Sequence, residues 1–163
     1  MEMEVVIEIP KGSRNKYEVR HDTGAIWLDR MLFTATLYPA DYGFVPETLG
    51  EDGDPLDVLV LLDEPTFPLC HILVRPVGLF CMEDEKGVDA KVLCVPATDP
   101  RWGEVMDVSD VSDHLLSEIA HFFDVYKQLE PSSHTRSYGW QDAAAARAEV
   151  DRARRAFQAG GDG

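Results

Sequence analysis

Apolar and polar residues alternate in short runs over the first hundred residues, and the runs are rich in β-branched and aromatic side chains. Runs of this kind, separated by Gly, Pro, Asn and Asp, are typical of β-strands. Many short strands in succession favour a closed or nearly closed barrel. The pattern predicts strands at Val5–Ile9, Tyr17–Val19, Ala25–Leu28, Val58–Leu62, Ile72–Phe80 and Val92–Val95.

After about residue 110 the apolar residues recur with the period of a helix instead. Ser112 is placed to cap a first helix, and Glu130–Pro131 ends it. A second helix is predicted from about Gln141 to Gly160–Gly161. The apolar stripes of the two helices comprise Leu115, Ile119, Phe122 or Phe123 and Tyr126 in the first, and Ala146, Val150, Ala153 and Phe157 in the second.

The length of 163 residues fits one domain of ordinary size. We expect this domain to span residues 1–158, with a disordered tail over 159–163. No apolar stretch reaches the ~18 to 20 residues of a membrane span, and no charged-then-apolar leader is visible. The three cysteines lie in apolar runs without metal-ligand spacing, which favours a reducing compartment. We therefore expect a cytoplasmic protein.

Thirty Asp and Glu residues against fifteen Lys and Arg residues give a formal net charge of −15. Proteins that bind nucleic acid use clusters of Lys and Arg, and no such cluster dominates here. We expect neither nucleic acid nor an anionic membrane as a partner. Most acidic side chains are expected to serve solubility, so a role for any one of them depends on its position.

The densest acidic segment is Asp52-Gly53-Asp54-Pro55-Leu56-Asp57, directly before the apolar run Val58–Leu62. Two like charges ~4 Å apart repel by roughly 1 kcal/mol in water and about 4 kcal/mol at an effective dielectric near 20, so converging carboxylates need a cation. An oxygen-binding divalent metal ion fits this need. The spacing of the acids and the strand-like flanks exclude an EF-hand. From this segment alone, a solvated acidic turn remains open.

A second charged segment, Asp84–Lys91, is predicted to form a hairpin. Asp89 and Lys91 are two residues apart and share one face of an extended strand, as do Lys16 and Glu18. Each pair alone also fits the exposed face of a strand. Carboxylates, cations and phenols together suit a highly charged phosphate ester or anhydride, because phosphoryl transfer depends on metal ions and cations around the phosphates.

The segment Asp52–Val58 matches the signature D-[SGDN]-D-[PE]-[LIVMF]-D-[LIVMGAC], which is highly specific for the soluble inorganic pyrophosphatases. The chain resembles the single-domain enzymes of family I, and is most similar to the bacterial and especially the actinobacterial members. The resemblance covers roughly residues 4–131. Further matching blocks are Ile9–Glu18, Tyr38–Phe44, Val95–Pro96 and His121–Lys127.

The resemblance implies a hydrolase that splits inorganic pyrophosphate into two orthophosphates with several Mg²⁺ ions per active site. It implies that Asp54 is the general base that accepts a proton from water. The implied metal-holding residues are Asp52, Asp57, Asp84, Asp89, Glu18 and Glu8. The implied phosphate-binding residues are Lys16, Arg30, Tyr42, Lys91, Tyr126 and Lys127.

Several of these residues also have a plainer interpretation. Tyr42 and Tyr126 fit core packing, and Arg30 and Lys127 fit surface cations. Glu85 and Lys86 are expected to face solvent. Tyr38 matches a family tyrosine near the site, and His21 occupies a position where relatives of this type carry a histidine that is a candidate modulator.

The chain departs from many relatives after Pro131, where they carry Gly-Lys and this chain has Ser132–Ser133. Arg136 is a candidate substitute for the missing lysine. None of the metal-holding carboxylates is missing from the sequence. The departure leaves open whether the phosphate-binding side of the site is complete.

The resemblance also implies an α+β, mainly β fold: a five-stranded closed barrel of oligonucleotide-binding (OB) type, with additional hairpins and two C-terminal helices packed outside. It implies a homohexamer. Barrels of this type often bind nucleic acid, so the fold alone does not decide the function. Two other functions stay open. One is a non-catalytic binder of divalent ions or phosphate, which Ser133 favours, and the other is a binder of single-stranded nucleic acid, which the charge of −15 disfavours.

Overall fold

A computed structural model describes residues 1–161 of the chain. This part forms nine strands, two α-helices and two short 3-10 helices. The strands are β1 (Met3–Ile9), β2 (Asn15–Val19), β3 (Ile26–Met31), β4 (Asp41–Phe44), β5 (Asp57–Val60), β6 (His71–Asp84), β7 (Gly87–Val88), β8 (Lys91–Pro96) and β9 (Thr135–Gln141). The α-helices are α1 (Asp113–Val125) and α2 (Ala143–Gly161). Of the tail predicted over 159–163, residues 162 and 163 lie outside the described residues.

Five strands close into a ring. Strand β1 pairs with β4, β4 with β5, β5 with β8, β8 with β6, and β6 returns to β1. All these pairings are antiparallel except that of β5 with β8, which is parallel. Strands β7 and β9 extend β6 outside the ring, and β2 and β3 form a separate hairpin. The prediction of a mainly β fold is confirmed, and the ring of five strands agrees with the predicted OB-type architecture.

The long strand β6 closes the ring because it pairs with different neighbours along its length. Its first residues face β1, its middle faces β8 and its last residues face β9 and β7. The register with β8 shifts between Pro76 and Gly78, where proline has no N–H to donate to the ladder. Such a shift bends a strand, and the bend allows β6 to join both sides of the ring.

Both faces of the barrel strands are buried, one under each helix. In β5, Val58 and Val60 belong to the apolar cluster that α2 covers, whereas Leu59 belongs to the cluster that α1 covers. The small residues Ala146, Val150 and Ala153 bring α2 close to the sheet. The buried side of α1 is aromatic and includes Phe122 and Phe123. The two predicted helices are therefore present and pack against the ring. The predicted end of the first helix at Glu130–Pro131 is wrong, because α1 ends at Val125, and Ser112 precedes α1 without a side-chain cap hydrogen bond.

The structure contains two strands that the apolar pattern did not predict, β4 and β9. Strand β4 is short and includes Gly43, where an added Cβ would lie 1.9 Å from the carbonyl oxygen of Val6. Glycine weakens the sequence signal of a strand, yet here it is required for the close approach of β4 to β1. Strand β9 extends to Gln141, so α2 begins at Ala143 and not at Gln141. Among the described residues, no helix is long and apolar enough to cross a membrane.

Candidate active site

The acidic segment forms a tight turn between β4 and β5. The Gly50 N–H donates to the carbonyl oxygen of Asp54, with N and O 2.7 Å apart. Gly53 has a φ of +89°, a left-handed conformation that glycine adopts without strain. The Asp54 N–H donates to Oδ1 of Asp52 at 3.1 Å. The turn therefore fixes the first carboxylate of the segment and leaves the Asp54 side chain at its surface.

Three carboxylates converge beside this turn. Asp52, Asp57 and Asp89 each offer an oxygen within 4.8 Å of the others, a group that could hold a metal ion. The parallel register of β5 and β8, which pairs Asp57 with Lys91, brings the third carboxylate into place. Burial raises the pKa of Asp89 to about 6, although Lys91 acts in the opposite direction. Burial likewise raises the pKa of Asp52. Crowded, partly desolvated carboxylates of this kind suit a hard divalent cation.

The ammonium group of Lys91 lies at the base of the site and is 1% exposed. Its Nζ lies 3.0 Å from Oδ2 of Asp57, 3.0 Å from Oδ2 of Asp89 and 2.8 Å from the phenol oxygen of Tyr42. Burial acts to lower the pKa of Lys91, but the two carboxylates outweigh it and raise the pKa well above its usual value. The lysine therefore stays charged. Because Tyr42 accepts from Lys91, its own proton remains free to be donated into the cavity.

The two residues that follow α1, Tyr126 and Lys127, also contribute to the site. Nζ of Lys127 lies 3.4 Å from Oδ2 of Asp84 and 3.5 Å from Oε1 of Glu85. Burial acts to lower the pKa of Lys127, and nearby Tyr126 and Asp84 reverse the effect and raise it. Burial raises the pKa of Tyr126, so this phenol keeps its proton. The segment after α1 thus adds a cation and a hydrogen-bond donor opposite the acidic turn.

The β2–β3 hairpin covers another side with two cations whose Cα atoms are paired across it, Lys16 and Arg30. Nζ of Lys16 lies 3.2 Å from Oδ2 of Asp29, which also contacts Nη1 of Arg30. Nε of Arg30 also donates to Oε2 of Glu130 at 3.0 Å, and Nη2 of Arg30 lies 3.0 Å from Oε1 of Glu130. Burial acts to raise the pKa of Asp29, but Lys16 and Arg30 outweigh it and lower the pKa.

Two glutamates complete the acidic side. Glu8 of β1 accepts a hydrogen bond from the N–H of Val19 at 2.8 Å and so joins the ring to the hairpin. Burial is the main cause that raises the pKa of Glu8 to about 7. Glu18, on β2, is exposed and borders the same cavity.

All of these groups line one cavity of about 420 Å³. It brings together the residues that the resemblance implied as general base, metal-holding or phosphate-binding: Glu8, Lys16, Glu18, Arg30, Tyr42, Asp52, Asp54, Asp57, Asp84, Asp89, Lys91, Tyr126 and Lys127. Their placement agrees with the sequence-based expectation, and their individual roles stay predictions. His21 also borders the cavity, with its ring 5.0 Å from that of Phe44.

Four further charged residues line the cavity without having been predicted there: Asp29, Glu85, Lys86 and Glu130. Glu85 and Lys86 were expected to face solvent alone. The side chain of Lys86 is indeed 63% exposed, but its Nζ lies 3.8 Å from Oδ2 of Asp54. The sequence signal that could have placed Glu85 and Lys86 at the cavity was their proximity to Asp84 in the predicted hairpin. Asp29 was adjacent to a candidate, and Glu130 carried no signal beyond its position three residues after Lys127.

Two sequence-based candidates lie outside the cavity lining. Tyr38 is buried behind the site, with its ring centroid 5.5 Å from that of Tyr42, as expected of a supporting residue. Arg136 lies over the ring of Tyr138 at 5.2 Å on β9. The position of Arg136 gives no support to the idea that it replaces the lysine missing after Pro131.

The fold and this constellation of charges agree with the comparison to known protein families. The family model described as inorganic pyrophosphatase matches residues 5–158. The chain belongs to the inorganic pyrophosphatase family. Most of its described length, including every predicted site residue, falls within this match.

Individual relatives in the inorganic pyrophosphatase family match over nearly the whole chain. The inorganic pyrophosphatase of Streptomyces coelicolor is 58% identical over 158 residues, which cover 97% of each chain. That of Leifsonia xyli is 60% identical over 143 residues, or 88% of each chain. The crystal structure of inorganic pyrophosphatase from Thermus thermophilus superposes with a TM-score of 0.94 at 49% identity, covering 96% of this chain and 91% of that one.

Proposed function

We propose that this chain hydrolyses inorganic pyrophosphate to two orthophosphates with Mg²⁺ ions bound in the cavity. The observation that carries the proposal is the convergence of Asp52, Asp57 and Asp89 in one cavity with five cationic side chains. Membership in the inorganic pyrophosphatase family supports the same reaction. Carboxylates suit metal ions, and the cations suit the phosphate oxygens of a small, highly charged anhydride.

The donor set fits Mg²⁺ because every candidate ligand atom is a carboxylate oxygen. Asp52, Asp57 and Asp89 would hold a first ion. Asp84, with Glu8 and Glu18, lines the same cavity and would hold others. Bound Mg²⁺ ions lower the pKa of water toward neutrality and neutralise charge on the phosphates.

Asp54 is the residue that we propose as the general base. The Asp54 side chain is 63% exposed. In sequence Asp54 lies between Asp52 and Asp57, but it does not belong to the group of three converging carboxylates. Its carboxylate is therefore available to accept the proton that the attacking water loses. The water oxygen forms the new bond to phosphorus, and the bridging oxygen leaves with the second phosphate.

The cations and phenols bind the two phosphoryl groups in this proposal. Lys91 is held between Asp57 and Asp89, and Tyr42 beside it keeps a proton to donate. Lys127 and Tyr126 approach from α1, whereas Lys16 and Arg30 approach from the hairpin. Donors on several sides can hold both phosphates of the anhydride and balance the charge that develops on the leaving group.

We further propose a homohexamer in the cytoplasm. The family resemblance supports assembly, and exposed apolar side chains on and after β3, including Trp27, Leu28 and Phe33, are available for contacts between copies. The three free cysteines fit a reducing compartment. Light scattering tests the assembly: a mass six times that of the 18.2 kDa chain supports the hexamer, and the mass of one chain contradicts it.

The test of the function is release of orthophosphate from pyrophosphate, tripolyphosphate and ATP, measured side by side with the purified chain in Mg²⁺. We expect rapid release from pyrophosphate that stops when EDTA removes the metal. Metal binding without any release would contradict the proposal and would favour a non-catalytic binder.

A further inference from the structure

Arg30 is held by two carboxylates that come from distant parts of the chain. Asp29 is its neighbour on β3, whereas Glu130 lies 100 residues away in the segment after α1. Glu130 engages the guanidinium through Nε and Nη2, both at 3.0 Å. This two-point contact limits how the guanidinium can turn, because one nitrogen donates a hydrogen bond to the carboxylate and a second lies in close ionic contact with it.

The Arg30–Glu130 pair is shielded from solvent. The side chain of Glu130 is 10% exposed and that of Arg30 is 24% exposed. A shielded, charge-assisted pair is stronger and less mobile than an ion pair at an open surface. The contact also joins the β2–β3 hairpin, which carries Arg30, to the segment after α1, which carries Lys127. It therefore links two parts of the chain that place cations in the cavity.

The hydrogen-bond pattern leaves part of the guanidinium unused. A guanidinium has five N–H donors. Glu130 accepts from Nε, and Asp29 accepts from Nη1. The remaining N–H groups, on Nη1 and Nη2, are those that an anionic ligand in the cavity would meet.

We infer that Glu130 is a positioning residue for Arg30, which it orients so that the free N–H groups face a phosphoryl group of the substrate. The inference rests on the proposed function, since it names what orients one of the phosphate-binding cations. Without the Glu130 carboxylate, the nearest anion that Arg30 contacts is Asp29, which also accepts from Lys16 at 3.2 Å. Arg30 would then turn toward Asp29 and away from its position over the cavity.

The effect of removing Glu130 on phosphate binding shows whether Glu130 orients Arg30 or only balances its charge. If Glu130 only neutralised Arg30, its removal would free positive charge and strengthen phosphate binding. If Glu130 orients Arg30, its removal weakens phosphate binding although the site becomes more positive. The sign of the change in affinity therefore separates these two roles.

The chain offers a control in Asp99 and Arg101. Nη1 of Arg101 donates to Oδ1 and Oδ2 of Asp99, at 3.1 and 3.2 Å. Neither residue lines the cavity. Asp99→Asn therefore weakens a contact between an arginine and a carboxylate away from the site.

The experiment compares Glu130→Gln with Asp99→Asn in steady-state hydrolysis of magnesium pyrophosphate and in calorimetric titration with orthophosphate. We expect Glu130→Gln to raise KM and to weaken orthophosphate binding by about tenfold, with a smaller change in kcat. Asp99→Asn should change neither by more than about twofold. A KM that is unchanged or lower in folded Glu130→Gln would overturn the inference.

A double-mutant cycle tests whether Glu130 acts through Arg30. In an Arg30→Lys background, which lacks the planar fork, Glu130→Gln should change KM by less than about twofold. An undiminished effect in that background would overturn the inference.

Glu130→Asp, which keeps the charge but shortens the reach, should give an intermediate KM and is the variant to use if Glu130→Gln does not fold. A wild-type chain that binds orthophosphate but releases none from pyrophosphate would contradict the proposed function, while the titration would still test Glu130.

Discussion

The two sides of the cavity hold their cations in different ways. On the barrel side, Lys91 is 1% exposed and is fixed by Asp57, Asp89 and Tyr42, which the strand register brings around it. On the hairpin side, the side chains of Lys16 and Arg30 are 23% and 24% exposed. Strand register pairs these two residues across the hairpin, but their side chains are held by ion pairs with Asp29 and Glu130. The cation of the barrel side is therefore enclosed by the fold, whereas the cations of the hairpin side are held in partly exposed ion pairs.

This difference predicts that the barrel side matters for both stability and catalysis, whereas the hairpin side matters chiefly for binding. Breaking a buried ion pair leaves charges without partners and costs about 3 to 5 kcal/mol. Breaking a more exposed pair such as Lys16–Asp29 costs about 0.2 to 1 kcal/mol, because water replaces the lost partner. Substitutions on the two sides can therefore be compared directly.

The largest effect on stability is expected for Lys91→Met. It leaves Asp57 and Asp89 facing each other without a cation, and should lower the free energy of unfolding by about 3 kcal/mol in EDTA. Lys16→Met, on the hairpin, should lower it by less than about 1 kcal/mol. Urea denaturation of both variants measures the difference. Equal losses would show that the two sides are not distinct in the way we describe.

A smaller effect on the free energy of unfolding, a gain instead of a loss, is expected for Glu8→Gln. Glu8 joins the two sides through its hydrogen bond with the N–H of Val19. Burial raises its pKa from 4.5 to about 7, so the folded state binds a proton more tightly than the unfolded state. The stability that Glu8 contributes is full below pH 4.5 and is lost as the pH rises to about 7. Glu8→Gln should therefore raise the free energy of unfolding by about 2 kcal/mol at pH 8 and leave it nearly unchanged at pH 4.

Urea denaturation in EDTA at the two pH values measures the effect of Glu8→Gln. Adding Mg²⁺ should reduce the advantage of the variant at pH 8, because the wild-type chain gains stability when its carboxylates bind metal. A gain that is the same at both pH values would contradict the assignment of the effect to ionisation of Glu8.

The smallest effect is expected for Arg136→Gln. Its guanidinium lies over Tyr138 and outside the cavity lining, so kcat/KM for magnesium pyrophosphate should change by less than about twofold. Arg30→Gln serves as the matched change of an arginine that lines the cavity, and should lower kcat/KM by more than about tenfold. A loss for Arg136→Gln as large as that for Arg30→Gln would mean that β9 supplies a cation to the site.

The barrel strands and the acidic turn were predictable because their signals are local. Val58–Leu62 and Val92–Val95 are apolar runs that form a parallel pair, and the signature around Asp54 is contained in one segment. Strand β4 was not predicted because it contains Gly43, and glycine weakens the sequence signal of a strand. Glycine is required there because the backbone of Val6 lies close by, and the sequence does not show that contact. The apolar stripe of α2 was predicted to include Phe157, which is 45% exposed, since the period of a helix does not reveal where its contact with the sheet ends.

The hairpin side was less predictable because its contacts join residues far apart in sequence. Asp29 and Glu130 are two of thirty acidic residues, most of which were expected to serve only solubility. Nothing local distinguishes Glu130, and only the folded chain shows that it binds Arg30 across 100 residues. Lys91 could be predicted from its spacing to Asp89, since both lie on one extended segment.

The central claim is that Asp54 accepts the proton of water while the neighbouring carboxylates hold the metal ions. The most direct test measures orthophosphate release from magnesium pyrophosphate by Asp54→Asn, with Mg²⁺ binding measured by calorimetry on the same preparation. We predict that release falls by at least about 100-fold while Mg²⁺ binding is retained, whereas Asp57→Asn loses both. Release by Asp54→Asn at the wild-type rate would contradict the account.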